Sequence, residues 1–173
     1  CKLGHRSPVL TAMGLPPQVI DSAVRISFSR YNTQNEVDLL ISAVKEAAEK
    51  YGKKTLADVE REVRAYLEDR DAECVFLQSN HEGELVDMIQ RAYYEGGAGI
   101  VINPAAYTHT SVALLDALLA TALPTVEVHI TDPDTREPFR RISYVREACI
   151  ATVRGLGTDG YTEACRILLE ALI

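Results

Sequence analysis

A doubly wound α/β sandwich built on a parallel sheet is the fold class this sequence predicts, and three observations predict it. From Tyr51 onward, helix-like and strand-like patterns alternate regularly. The strand-like runs are continuously apolar, as strands covered by helices on both faces must be. Two polar clusters, NPAAYTHTS at 103–111 and Glu127-Val128-His129, stand where short apolar runs end. Open α/β sheets bind ligands at that place, beyond the carboxyl ends of their strands.

The first fifty residues read differently. Val24, Ile26 and Phe28 alternate strictly with Arg25, Ser27 and Ser29, the pattern of a strand with one wet face. Thr33-x-x-Glu36 then caps a helix carrying Val37, Leu40, Ile41, Val44, Ala47 and Ala48 on one face. A small α+β appendage is expected over 1–50, with a junction near Lys50. Its strand is placed at a sheet edge in preference to the sheet centre, where Arg25 would be buried.

Beyond the junction, Thr55 and Asp58 form a capping-box start for a helix bearing Leu56, Val59, Val63, Tyr66 and Leu67. Cys74 to Leu77 is a short apolar strand. Ser79-x-x-Glu82 opens a helix with Leu85, Met88, Ile89 and Ala92 on one face, ended by Gly96-Gly97. A strand at 99–103 leads into a helix at 111–122, and a strand at 124–130 into a polar loop and short helix near Arg136 to Arg141. A last strand at 148–154 precedes the terminal helix after Gly157. The expected sheet over 55–173 has four parallel strands in a flavodoxin-like arrangement.

Composition limits the functions available. The 173 residues carry a net charge of −7, with 47 % apolar residues, so a soluble protein is expected and no membrane role. The charge is concentrated after residue 50, and an acidic main domain argues against nucleic-acid binding, which needs clustered cations against phosphates. Nothing resembles a signal peptide, and a cytoplasmic setting is expected; the opening Cys1 in place of methionine predicts a piece of something longer or a processed chain. Cys1, Cys74, Cys149 and Cys165 have neither C-x-x-C pairing nor a histidine at metal spacing, so no metal is expected. The last three read as small buried hydrophobes in a reduced protein.

Residues 51–173 resemble type II 3-dehydroquinate dehydratase. The resemblance rests on YGKKTLADVE at 51–60, QSNHEGELVDMI at 78–89, INPAAYTHTSVALLDAL at 102–118, VEVHITDPDTREPFRRISY at 126–144 and GLGTDGY at 155–161. It implies a flavodoxin-like subunit, a homo-oligomer built as a dodecamer, and cofactor-free conversion of 3-dehydroquinate to 3-dehydroshikimate in the shikimate pathway. Residues 1–50 resemble instead the C-terminal end of a cysteine desulfurase, in GHRSPVLTAMGLPP, SAVRISFSRYNT and EVDLLISAVKE. There Cys1 would match the persulfide carrier and Arg25 a carboxylate ligand, with the pyridoxal phosphate domain absent.

The first resemblance assigns roles. Tyr51 matches the base and His129 the general acid, with Glu127 two residues earlier on the same strand face able to fix the imidazole tautomer. Asn103 and His109 match ligands of substrate hydroxyls; Ile130, Thr131 and Arg140 match further substrate ligands, and Asp116 a residue reaching a neighbouring subunit's site. His81 reads as part of a helix cap, and Arg136 and Arg141 as a solvated face. The family's first strand, its N-G-P-N loop and its R-E-P segment have no counterpart, so the first strand is missing or replaced. Five residues before Tyr51, where the family has arginine, stands Glu46. The leading expectation is therefore a dehydratase with impaired turnover. The alternatives are a non-catalytic remnant that binds a small carboxylate or serves in assembly and, less favoured, a desulfurase fragment.

Overall fold

The computed structural model describes residues 11–14, 31, 33–51 and 54–173, without the side chains of residues 47–51. The alternating 23–29 segment, Cys1 and Arg25 lie outside the described residues. The chain divides into two compact units, Cys1–Val44 and Lys45–Ile173.

The boundary between units falls inside helix α1, Gln34–Tyr51. Its start is the reciprocal cap read from sequence: the Thr33 amide donates to Glu36 Oε2 at 2.7 Å, and the Glu36 amide to Thr33 Oγ1 at 3.4 Å. Helical geometry then runs on through Lys50, so Tyr51 closes a helix and does not begin a loop.

In the larger unit, α2 spans Leu56–Glu68, α3 Glu82–Tyr94, α4 Val112–Thr121 and α5 Gly160–Ala171. The strands are β1 at Ile100–Ile102, β2 at Thr125–His129 and β3 at Ala151–Arg154, all parallel, in the order β1-β2-β3. Helices cover both faces, as a doubly wound sheet requires. Ile89, Leu114, Ala117, Leu118 and Val145 form the core on one face, with Ile100 and Ile102 packed against them. Val126, Val128, Val153 and Ala164 form the core on the other, joined by Val101. The β1–β2 approach is tight at Gly99, where a Cβ would lie 2.8 Å from the Pro124 carbonyl oxygen and 2.7 Å from Leu168 Cδ1.

Two local expectations are corrected. Cys74 to Leu77 is extended, but among the described residues it pairs with no strand, so the sheet has three strands and not four. Ala72, Cys74 and Phe76 pack toward Val59, Val63, Leu67 and Cys165, while Val75 and Leu77 on the other side are 77 % and 45 % exposed. One packed face and one open face is not the environment of a parallel strand, and Arg64 Nη1 takes the Cys74 carbonyl at 2.8 Å. The second correction concerns α3: Ser79 does not cap Glu82. His81 occupies the N-cap position without a side-chain bond, and the Ser79 hydroxyl instead accepts from the His81 amide and donates to Glu84. The Thr55–Asp58 capping box of α2 is formed in both directions.

Candidate active site

β2 is the middle strand, and all five of its residues are buried. Side chains alternate across a strand, so while Val126 and Val128 face α5, Glu127 and His129 share the opposite face. Glu127 is 0 % exposed, which for a lone carboxylate would be prohibitive.

Its compensation comes from three hydroxyls, an imidazole and a guanidinium. Thr108 donates to Oε1 from the 3-10 turn Ala105–His109, and Ser143 donates to the same oxygen at 2.9 Å. Thr152 on β3 reaches Oε2 at 3.3 Å. Thr108 Oγ1 and Ser143 Oγ are themselves 2.7 Å apart, so two hydroxyl protons are shared among three close oxygen–oxygen contacts. His129 Nε2 lies 2.9 Å from Oε1 and Arg146 Nε 3.7 Å from Oε2, both at ion-pair range without hydrogen-bond alignment. Burial pushes the Glu127 pKa upward, but His129, Thr108 and Ser143 outweigh it and hold the carboxyl at about 2. Glu127 is thus a charged group throughout the neutral range, facing the imidazole.

The turn that supplies Thr108 also delivers the two ligands expected from sequence. Asn103 follows β1 directly; its Oδ1 accepts from the Ala105 amide at 3.1 Å and its Nδ2 donates to the Tyr161 hydroxyl at 2.7 Å. Ala105 is held at φ 50, the left-handed region, to make that turn. His109 lies 2.6 Å from the Ile142 carbonyl through Nδ1; a carbonyl only accepts, so Nδ1 carries the proton and Nε2 faces elsewhere as the free nitrogen. The 3-10 turn Pro138–Arg141 packs beside the His109 turn and holds Arg140, whose Nε donates to Glu137 at 2.8 Å.

After β2 the chain turns through Ile130 and Thr131, both half-buried, and the Ile130 carbonyl accepts from Gly157 at 3.0 Å. Asp132 then caps a turn at Pro133–Thr135, and Arg154 at the end of β3 pairs with Asp132 and Asp134. The loop carrying Ile130 and Thr131 is therefore tied to the β3 end at two points.

The sheet edge brings Glu127 and His129 together, with Asn103 and His109 carried by the same strand end and turn. Asp116 stands apart, exposed on α4. Tyr51 is fixed only as the last residue of α1, and its side chain lies outside the described residues. Thr108, Ser143, Thr152, Arg146 and Tyr161 were not singled out from sequence. Thr108 had a signal, a hydroxyl between the two chosen positions 103 and 109. Ser143, Thr152 and Tyr161 had none, because their partners lie 16, 25 and 58 residues away.

The thiols of Cys149 and Cys165 are pushed up to about 12 and about 11, first by burial, which makes them inert packing groups as expected. Among the described residues no group of acidic, histidine and cysteine side chains is placed to hold a metal ion.

Comparison with known proteins bears on the family of the chain. The family described as dehydroquinase class II matches residues 37–169. A 3-dehydroquinate dehydratase of Halorhodospira halophila is 48 % identical over 124 residues, which cover 72 % of this chain and 84 % of that one. A catabolic 3-dehydroquinase of Clavispora lusitaniae is 49 % identical over 123 residues, covering 70 % and 85 %. Among solved structures, the type II dehydroquinase of Butyrivibrio crossotus superposes with a TM-score of 0.68 at 39 % identity, covering 70 % of this chain and 85 % of that one.

Proposed function

The chain belongs to the class II dehydroquinase family, and from that premise we propose how it dehydrates 3-dehydroquinate to 3-dehydroshikimate and which residues do the work. The reaction removes a proton alpha to a ketone, passes through an enolate and expels a tertiary hydroxyl, so it needs a base, a site for the substrate and a general acid. His129 is the acid that protonates the leaving hydroxyl. The observation that carries this reading is its seat against a fully buried, ionised Glu127 at the carboxyl end of the middle strand. That charge lies 2.9 Å from His129 Nε2 and favours one setting of the ring. Asn103 and His109 Nε2 bind substrate hydroxyls. Ile130 and Thr131 receive the carboxylate, Arg140 is another ligand on the substrate, and Asp116, exposed on α4, serves a neighbouring subunit.

Tyr51 is the base, and turnover in this chain is impaired. A tyrosine ionises near pH ~10 and serves at neutral pH only beside a cation. Here it ends an eighteen-residue helix, and Glu46 occupies the position five residues earlier, where the family has arginine. Loss of a positioned base costs about 10²–10⁴-fold in rate.

The larger unit assembles as a homo-oligomer; Val112 and Leu119, 50 % and 57 % exposed on the same helix as Asp116, support a subunit contact there. Free thiols at Cys74, Cys149 and Cys165 accord with a cytoplasmic setting, and among the described residues no helix is long and apolar enough to cross a membrane. Residues 1–50 derive from a desulfurase-like C-terminal segment, supported by the strings quoted above.

The test is formation of the conjugated enone from 3-dehydroquinate, followed by absorbance. Weak turnover that disappears in both Tyr51→Phe and His129→Ala supports the proposal. Turnover that survives either substitution removes that residue from its role, and a chain that binds substrate with no measurable product is a binding remnant.

A further inference from the structure

We propose that Tyr161 is a positioning residue for substrate binding, acting through the side-chain amide of Asn103. The proposal rests on the substrate-binding role given above to Asn103 and deepens it.

An asparagine amide at a strand end can rotate and can flip, and either motion would exchange the donor it offers to a ligand for an acceptor. Here both ends are fixed. The Ala105 amide, which can only donate, lies 3.1 Å from Asn103 Oδ1 and so settles which end is oxygen. Nδ2 then faces the Tyr161 hydroxyl at 2.7 Å. One Nδ2 proton is spent on Tyr161, and the second is left in a fixed direction for a ligand. The tyrosine oxygen accepts in this bond, so its own proton also points away from Asn103.

The anchor is rigid because of where its ring sits. Tyr161 packs against both clusters on that face of the sheet, the one of Val59, Val63, Leu67 and Cys165 and the one of Val126, Val128, Val153 and Ala164. Its position is set in the first turn of α5, where a Cβ added at Gly160 would meet Val153 Cγ1 at 3.4 Å and Val128 Cγ1 at 3.5 Å. A hydroxyl held by two core clusters gives the amide a fixed partner across 58 residues of sequence. Preorganising one donor in this way removes the cost of ordering it when substrate arrives.

The experiment is calorimetric binding of 3-dehydroquinate, with every protein carrying Tyr51→Phe to suppress turnover. Tyr161→Phe keeps the ring and removes only the oxygen, and it is expected to weaken binding about fivefold, the effect of one lost neutral hydrogen bond. Asn103→Ala weakens binding at least as much, and the double variant binds no more weakly than Asn103→Ala alone. Independent losses that multiply in the double variant overturn the positioning role, as does unchanged affinity in Tyr161→Phe when Asn103→Ala is impaired. Should Asn103→Ala bind normally, or the Tyr51→Phe parent fail to bind, the binding role of Asn103 falls and this proposal with it. A second measurement needs no core substitution: in the parent protein one Asn103 Nδ2 proton should exchange with solvent far more slowly than the other, and equal fast exchange of both overturns the bond.

Discussion

Glu127 Oε1 and His129 Nε2 lie 2.9 Å apart on one face of the middle strand, so the acid proposed for the reaction and the charge that orients it come from a single pentapeptide. The spacing of two residues makes them neighbours wherever this segment is a strand. What keeps Glu127 ionised while fully buried is the facing imidazole together with the hydroxyl cradle.

Stability should fall in acid through Glu127. Its folded pKa of about 2 lies below the ordinary 4.5, so its contribution is complete above about pH 5 and is lost as pH drops toward 2. The shift corresponds to roughly 3 kcal/mol. Urea unfolding of the wild type at pH 7 and pH 3 should show the loss, and Glu127→Gln should flatten the difference. An unchanged pH dependence in that variant would assign the acid sensitivity to other carboxyls.

Removing one donor from the cradle should be costly in its own right. Thr108→Val preserves shape but leaves a buried carboxylate oxygen short of a proton, an expected loss of about 1–3 kcal/mol in unfolding free energy, with a fall in turnover as His129 loses its fixed partner. Loss of stability with turnover intact would show the cradle to be structural only.

Gly99→Ala tests the close approach of β1 to β2. The added methyl meets a backbone carbonyl that cannot move independently of the strand, so a destabilisation of about 1–3 kcal/mol is expected. A melting temperature equal to that of the parent would mean the strand start shifts without penalty.

Thr55→Ala removes one half of a reciprocal cap on α2 and should cost about 0.5–2 kcal/mol. Affinity for 3-dehydroquinate should not change, because no proposed ligand lies on that helix. A changed affinity measured by calorimetry would couple α2 to the site.

The impairment has a constructive test. Replacing residues 1–50 with a strand and loop carrying N-G-P-N and R-E-P should raise enone formation by about 10²–10⁴-fold, the contribution expected of a competent base. A graft that leaves the rate unchanged would show that Tyr51 is already active at the end of its helix.

The sequence alone determined the helices, which announce themselves by period and by caps such as Thr55–Asp58, and it determined the central strands, whose apolar runs and polar ends marked the site edge. It also placed Glu127 beside His129, because residues two apart on a strand share a face. Only the tertiary structure decided whether an apolar extended run becomes a strand: Cys74 to Leu77 has the composition, but a ladder needs a neighbour, and the described residues supply none. In the same way it decided that Ser143 and Thr152 serve Glu127 and that Tyr161 holds Asn103. Periodicity encodes which way a side chain faces within its own element. Hydrogen bonds between elements depend on where separate backbones come to rest, and that is fixed by packing on both faces of the sheet.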